Sequence, residues 1–312
     1  MARQREETCD IVIIGGGPAG MTAAIYSARQ ALCTIVVSPD LGGRGAWAWR
    51  VENYTGYQHI SGLELMRKFE EHMLQFDVRY VPDKACHVEP ANHDYLVRTE
   101  GGREIRAGAI IVATGRRNRT LEVPGAERLE GRGVAYCATC DAPLFRGEDV
   151  AVVGGGNAAL YAALQLSDLA RRVVVISNTK LSGESTTIER LRGLPNVEIR
   201  EGYEPTAIRG REFVTSIDIR PVNDHQTTEI PVAGVFVEIG TEPNSAFIKD
   251  LVKVDQQGQI KVDCLGRTSR PGIFAAGDVT EVPEKQIIIS AGEGARAALT
   301  AYRYLQSRRS PS

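Results

Sequence analysis

The sequence predicts an α/β fold of two Rossmann-like lobes, each in three layers (ββα). Two observations carry this. A strand that runs into a glycine-rich turn and then a small-residue helix occurs twice, and a chain of 312 residues exceeds one typical domain. Hydrophobic residues make up 43%, enough for two cores. The net charge of −2 argues against nucleic-acid binding, which needs a strongly basic face to displace counterions.

In chain order, the first element is the buried strand Asp10-Ile11-Val12-Ile13-Ile14, preceded by a polar start. It enters Gly15-Gly16-Gly17-Pro18-Ala19-Gly20 and an alanine-rich helix reaching Arg29; a second strand, Thr34 to Val37, ends near Asp40. Glycines here let backbone approach a pyrophosphate, the helix start offers N–H donors, and the acid can accept from a ribose hydroxyl. Ala109 to Gly115 is a strand closing on a tight turn, and Val123-Pro124-Gly125 punctuates a linker. The β-α-β pattern then recurs: Val150 to Val153 leads into Gly154-Gly155-Gly156-Asn157-Ala158-Ala159, a helix to Leu169 and a strand from Arg172 to Ile176. Gly272 to Val279 is another strand ending on glycine and an acid, and a last helix is expected over Gly292 to Gln306. The arrangement implies a discontinuous first lobe, 1–118 plus 247–312, with the second, 119–246, inserted.

No run approaches the roughly 20 apolar residues that span a bilayer, and no signal peptide is visible. A cytoplasmic protein without membrane attachment is expected. Of the cysteines Cys9, Cys33, Cys86, Cys137, Cys140 and Cys264, only Cys137 and Cys140 have redox spacing. The other four are expected to be buried apolar residues. The segment Cys137-Ala138-Thr139-Cys140-Asp141 reads as a redox centre: two thiols that can close a small disulfide, beside an acid that can move a proton or else cap the following helix. Zinc would need a second pair of ligands, so no metal is expected.

These signatures, taken in order, resemble those of the low-molecular-weight thioredoxin reductases, flavoproteins of the two-dinucleotide-binding-domain type. The likeness rests on the GGGPAG turn, Val51-Glu52-Asn53-Tyr54, Ala113-Thr114-Gly115, the CATCD segment with Phe145-Arg146-Gly147, and Gly234 to Gly240 with Pro243-Asn244. Thr268 to Val279, Lys285-Gln286 and Ser290-Ala291-Gly292 complete it. It implies FAD in the first lobe, held by Gly15, Gly17, Pro18, Ala19, Gly20, Asp40, Gly43, Arg44, Trp47, Asn53, Ala113, Gly115, Gly277, Asp278, Gln286 and Ile287. It implies that Asp278 bonds the ribityl chain, that Gln286 with Ile287 opens a helix whose start points at the flavin, that Cys140 faces the flavin, that Cys137 attacks a partner's disulfide and that Asp141 supplies the proton. Asp278 could instead cap a turn, and Asn53 could be a simple turn residue. A homodimer is a further family expectation.

The second lobe departs from the family. A possible second nucleotide site lies at Gly154, Gly156, Asn157 and Ala158. However, Tyr161 and Ala162 stand where users of NADPH carry acids, and Ser177 to Gly183 lacks their arginines. A 2′-phosphate is recognised by charge-assisted arginine contacts, and Lys180 alone is a poor substitute; Arg190 and Arg192 read as a solvated helix face. Trp47 and Trp49 fall in one loop, Gly42 to Arg50, and either pack at a contact or stack on an aromatic ligand. The chain thus resembles members that lack the NADPH motif, including ferredoxin-linked ones. The expected function is transfer of electrons from FAD through the dithiol to thioredoxin or a similar dithiol protein, with a donor such as ferredoxin. Arg116-Arg117-Asn118-Arg119 is one candidate docking surface, or else a solvated hinge. The alternatives are an NADPH-dependent thioredoxin reductase with an atypical phosphate site, and a flavin electron-transfer protein with a second ligand, such as a second flavin, in the second lobe.

Overall fold

The structure is a computed structural model that describes residues 7–48, 51–136 and 138–309, without the side chains of Trp47, Thr139 and Cys140. The chain divides into two compact units, Met1–Arg117 with Glu242–Ser312, and Asn118–Thr241.

The first unit opens with β1 (Glu7–Ile14), α1 (Pro18–Arg29) and β2 (Thr34–Val37). β1 starts earlier than its apolar run because Glu7, Thr8 and Cys9 pair with Ile105, Arg106 and Ala107, and a backbone ladder accepts any side chain that fits its face. Next come α2 (Gly62–Met73), β3 (Val78–Val81), the hairpin β4 (Ala85–Ala91) and β5 (Asp94–Thr99), and the long β6 (Glu104–Val112). Strands β3, β2, β1 and β6 pair in that order, all parallel. The far edge of β6 is shared: its first half pairs antiparallel with β5, and Ile110–Val112 pairs parallel with Ile273–Ala275 from near the end of the chain. The chain leaves the unit through β7 (Arg116–Asn118).

The second unit contains β8 (Val134–Ala135), α3 (Ala138–Asp141), β9 (Asp149–Val153), α4 (Asn157–Ser167), β10 (Arg172–Ser177), α5 (Ser185–Arg192) and β11 (Val197–Glu201). The meander β12 (Tyr203–Gly210), β13 (Val214–Pro221) and β14 (Thr228–Pro231) follows, then β15 (Gly234–Val237). A parallel sheet runs β11-β10-β9-β15-β8, and the meander forms its own antiparallel sheet. The chain returns through β16 (Thr241–Pro243) to β17 (Ile273–Ala275) and α6 (Ile287–Arg309). α6 begins upstream of the Gly292 that the apolar pattern suggests and at the Ile287 that the resemblance implies: the β-branched Ile287 to Ile289 are poor helix formers, but Ile287 packs on the helix-side core.

Side chains alternate across a strand, so each parallel sheet has two buried faces. In the first unit Ile11, Ile13, Val36, Ile111 and Phe274 share a core with α1, α2 and α6, while Val12, Ile14, Ile35, Ile110 and Val112 share one with the β4–β5 hairpin. In the second, Val150, Val152, Val173 and Val175 pack with α4 and Leu191, and on the opposite face Ala151, Val153, Val174 and Ile176 pack against the meander. The second unit is therefore sheet, sheet and helices, and in the first the β4–β5 hairpin, continuous with β6, covers the face opposite the helices; these are the two Rossmann-like lobes that the sequence predicts.

Three of the four scattered cysteines depart from expectation, while Cys9 packs against the core as expected. Cys33, Cys86 and Cys264 are exposed and Cys9 is half-buried. Cys33 lies in the connection just before β2, Cys264 in a turn and Cys86 on the edge strand β4, positions that leave them exposed. Burial pushes the Cys9 thiol far above its usual range. Among the described residues no helix is long and apolar enough to cross a membrane.

Candidate active site

At the end of β1 the glycines divide their work. Gly15 has φ +113°, and a Cβ there would lie 2.3 Å from the Ala113 carbonyl oxygen; one on Gly20 would lie 1.8 Å from the Gly15 oxygen. These two are glycines because backbone presses on backbone. A Cβ on Gly17 would meet nothing within 4 Å, so this position opens onto free space at the start of α1. Pro18 stands in the first turn of α1, no side chain caps that end, and no acid lies in its first turn. The leading N–H groups and the positive dipole end are left for an anion. A dinucleotide pyrophosphate fits this opening.

The loop after β2 lies against the turn: Gly42 N–H donates to the Gly16 carbonyl at 2.8 Å, and a Cβ on Gly43 would come within 3.5 Å of the Gly17 Cα. Asp40 and Arg44 are exposed on this loop. Trp47 contributes its backbone to a short 3₁₀ turn, Gly43–Trp47; its side chain, and all of Trp49, lie outside the described residues. Gly115, at the end of the Ala113-Thr114-Gly115 turn, has φ +63° and open space beyond it. Asn244 holds that turn, its Nδ2 donating to the Thr114 carbonyl at 2.9 Å while Thr114 Oγ1 donates to the Asn244 carbonyl at 2.7 Å.

Four predicted residues, Asn53, Asp278, Gln286 and Ile287, meet around the start of α6. Asn53 Nδ2 donates to Gln286 Oε1 at 3.0 Å, which makes it more than a local turn residue. Ile287 is the first residue of α6. Ser290 Oγ donates to Asp278 Oδ1 at 3.2 Å. Ala19, by contrast, is buried: a Cβ on Gly277 would meet its Cβ at 2.9 Å and one on Gly294 its carbonyl oxygen at 2.1 Å, so its side chain packs α1 against α6.

Two residues beside this turn carry charge. Lys285, half-buried, has its pKa pushed down by desolvation, and its Nζ donates to the Thr280 carbonyl at 2.6 Å. Glu293, buried, has its carboxyl pKa pushed up by desolvation and receives the Gly277 N–H at 2.7 Å. Sequence reasoning missed Glu293; its signal was a lone charge within Ser290-Ala291-Gly292-Glu293-Gly294-Ala295.

The second glycine turn repeats the packing. A Cβ on Gly154 (φ +146°) would lie 2.2 Å from the Glu238 oxygen, whereas Gly156 faces open space. Here the loop after β10 folds down on the turn. Ser182 N–H donates to the Gly155 carbonyl at 2.8 Å, Glu184 N–H donates to Asn157 Oδ1 at 2.8 Å, and Tyr161 Oη donates to Glu184 Oε2 at 2.8 Å. A Cβ on Gly183 would meet Leu160 Cδ1 at 2.3 Å and Asn157 Oδ1 at 2.5 Å. Asn157 is thus engaged with the chain itself, and Ala158 is exposed next to it. Arg192 pairs with Glu201 at 3.6 Å across an exposed face, as a solvated helix would.

The dithiol segment follows β8. Cys137 lies outside the described residues, and Cys140 is described only as backbone within α3. Asp141 closes α3, is half-buried, and has its carboxyl pKa raised by desolvation. It makes no side-chain cap bond to the 3₁₀ turn Ala142–Phe145 that follows. Leu144 in that turn is 77% exposed. In the basic run, Arg116 Nη1 donates to Gln259 Oε1 at 2.9 Å and Arg117 pairs with Glu242 at 3.3 Å.

Comparison with known proteins agrees with this geometry. Residues 9–298 match the model of the pyridine nucleotide-disulphide oxidoreductase family. The chain is 40% identical to the F component of the Pseudomonas putida alkyl hydroperoxide reductase, over 100% of this chain and 62% of that protein; it therefore spans under two thirds of the curated relatives it matches. Among solved structures it is similar to Lactococcus lactis thioredoxin reductase, with 35% identity, a TM-score of 0.85, and coverage of 96% and 99% of the two chains. It is also similar to a ferredoxin-flavin thioredoxin reductase from Clostridium acetobutylicum, with 31% identity, a TM-score of 0.54, and coverage of 97% and 99%.

Proposed function

The chain belongs to the pyridine nucleotide-disulphide oxidoreductase family, whose members are FAD-dependent oxidoreductases, and on that premise we propose that it reduces the disulfide of a thioredoxin-like protein through Cys137 and Cys140, drawing on a donor other than NADPH. The observation that carries the reading is Asp141: an acid next to Cys140, half-buried, with a raised pKa and no capping bond to the turn it precedes. Such a carboxyl holds its proton more readily than a solvated one and sits where a departing thiolate would need it.

FAD bound in the first unit supplies the electron pair. Gly17 and the start of α1 would receive its pyrophosphate, Gly115 would leave room beside it, and Asp278 would take its ribityl hydroxyls. In the second unit the reduced pair acts in two steps. Cys137 thiolate attacks one sulfur of the partner's disulfide, forming a mixed disulfide and expelling a thiolate that takes a proton from Asp141. Cys140 then attacks the Cys137 sulfur, releasing the partner's other sulfur as a thiol and leaving the Cys137–Cys140 disulfide to be reduced again. Two electrons and two protons pass to the partner.

The donor reading draws on the loop after β10. Glu184, held by Tyr161 and Asn157, puts a carboxylate beside the start of α4, where a nucleotide phosphate would seek the positive dipole end. Lys180 is the only basic residue from Ser177 to Glu184. A low-potential iron–sulfur donor such as ferredoxin fits, as the solved ferredoxin-linked relative's name indicates for that protein. The open space at Gly156 favours a second reading, in which this unit holds a dinucleotide or a second flavin. The proposed chain works as a homodimer in the cytoplasm.

The deciding experiment is anaerobic stopped-flow spectroscopy of the bound flavin, coupled to thioredoxin reduction. Reduced ferredoxin should bleach the flavin and drive turnover, and micromolar NADPH or NADH should not. Rapid bleaching by NADPH sinks the donor reading. An FAD-to-chain ratio near two establishes the second.

A further inference from the structure

Glu293 is a charged side chain placed where folding alone would not put one. It is 7% exposed, on α6, in a run of small residues. Burying a carboxylate is costly without compensation, and desolvation here does lift its pKa, with Asp278 adding to the lift. The Gly277 N–H, Arg296 at 3.8 Å and Lys285 work in the opposite direction.

The geometry around it converges on one turn. Gly277 has φ +76°, a left-handed conformation, and Ala19 and Ser290 leave no room for a Cβ there. Its N–H has Glu293 Oε2 as acceptor at 2.7 Å. The next residue, Asp278, is held by Ser290, one turn of α6 earlier than Glu293. Gly294, adjacent to Glu293, is where α6 presses on the Ala19 carbonyl, so backbone contact fixes the height of α6 and the acid reaches Gly277 from a fixed base. Neighbouring groups satisfy either the backbone or the side chain of this turn, and Glu293 is the one that takes the Gly277 amide.

We propose that Glu293 is a positioning residue of the flavin site: by accepting the Gly277 N–H it fixes the left-handed turn that presents Asp278 to the cofactor. The proposal rests on the reading of Asp278 as an FAD ligand. Glu293 touches no reacting atom; it acts through the backbone next door. What matters is an acceptor oxygen at the right reach, not the negative charge.

The test measures FAD affinity of apoproteins by quenching of FAD fluorescence, with thermal unfolding of each apoprotein as the folding control. Asp278→Ala should weaken binding about tenfold or more. Glu293→Met, which fills similar space without an acceptor oxygen, should weaken it to a similar degree, and Asp278→Ala/Glu293→Met should bind no worse than Asp278→Ala alone. Glu293→Gln, which keeps an acceptor, should stay within about threefold of the unmodified protein. Glu293→Asp, which keeps the charge and falls short of the amide, should repeat the loss and decides the matter if Glu293→Met does not fold. Unchanged affinity in Glu293→Asp overturns the proposal, as does full additivity of the Asp278 and Glu293 effects. If Asp278→Ala leaves affinity unchanged, the assignment of Asp278 is wrong and the proposal falls with it, which separates the two failures.

Discussion

In the first unit the loop after β2 returns to its glycine turn with Gly42 and Gly43 and carries Asp40 exposed, and no acid lies in the first turn of α1. In the second, the loop after β10 returns with Ser182 and Gly183 and then holds Glu184 against Asn157 and Tyr161 of α4. The turns themselves are nearly the same object. Gly15 and Gly154 both press on a neighbouring carbonyl, at 2.3 and 2.2 Å for a would-be Cβ, and Gly17 and Gly156 both face open space. The difference teaches that the glycine signature reports how a strand and a helix pack. What an anion would meet is written in the following loop, by residues the signature does not include.

The largest expected effect separates the units outright. Cys140→Ser should lower thioredoxin reduction by roughly a thousandfold or more while FAD content, which the proposal assigns to the first unit, stays unchanged; loss of FAD in this variant would break the division. Next, Gly17→Ala should weaken FAD binding about tenfold with the fold retained, because its Cβ would enter the cofactor's space and no protein atom's. Gly156→Ala, the equivalent change in the second unit, should leave turnover with the physiological donor as it was. Slower flavin reduction in Gly156→Ala would show a nucleotide working there.

A smaller effect concerns Asp141. With burial raising its pKa, turnover should fall as pH climbs through the raised value, and Asp141→Asn should lose that limb and run about 10 to 100-fold slower. The stability sign is the same for Asp141 and Glu293. Folding favours the neutral carboxyl, so each contribution is fully present below the ordinary values of 3.8 and 4.5 and is lost as pH rises through the raised ones. Thermal unfolding across pH should show a shallower decline in Asp141→Asn and Glu293→Gln. The smallest effect is Tyr161→Phe, which leaves the exposed Glu184 carboxylate only the longer bond from Thr187 Oγ1: hydrogen exchange of the loop should quicken slightly, with turnover unaltered.

Much of this was legible because it is local. β1, the first glycine turn and α1 follow from an apolar run, tight glycines and alanines within a few residues, and Gly154 to Ala159 repeats them. The apolar pattern alone put the last helix at Gly292, because three isoleucines favour strands, while the family resemblance set Gln286 with Ile287 at a helix start, where α6 does begin. Glu293 and the Glu184 latch were hidden for a different reason: each acts on a group brought near only by the fold, Gly277 in one case and Tyr161 in the other. Three of the scattered cysteines were misjudged because residue type suggests burial while loop and edge positions impose exposure. Asn53 with Gln286 shows the opposite case, two motif residues 233 positions apart that the fold joins.

The shared edge of β6 has a consequence for the order in which the molecule can be made. When synthesis has reached Thr241, the second unit owns every strand and helix it will ever have, but the first still waits for β17 and α6. Until they emerge from the ribosome, Ile110–Val112 presents a bare backbone edge, and Ala23 and Ala24 of α1 lack the cover of Ala297, Ala298 and Ala301. The inserted unit is thus free to mature first, and the older half of the chain is the last to close. A nascent chain cut short before α6 would carry a finished dithiol unit beside an adhesive, flavinless sheet.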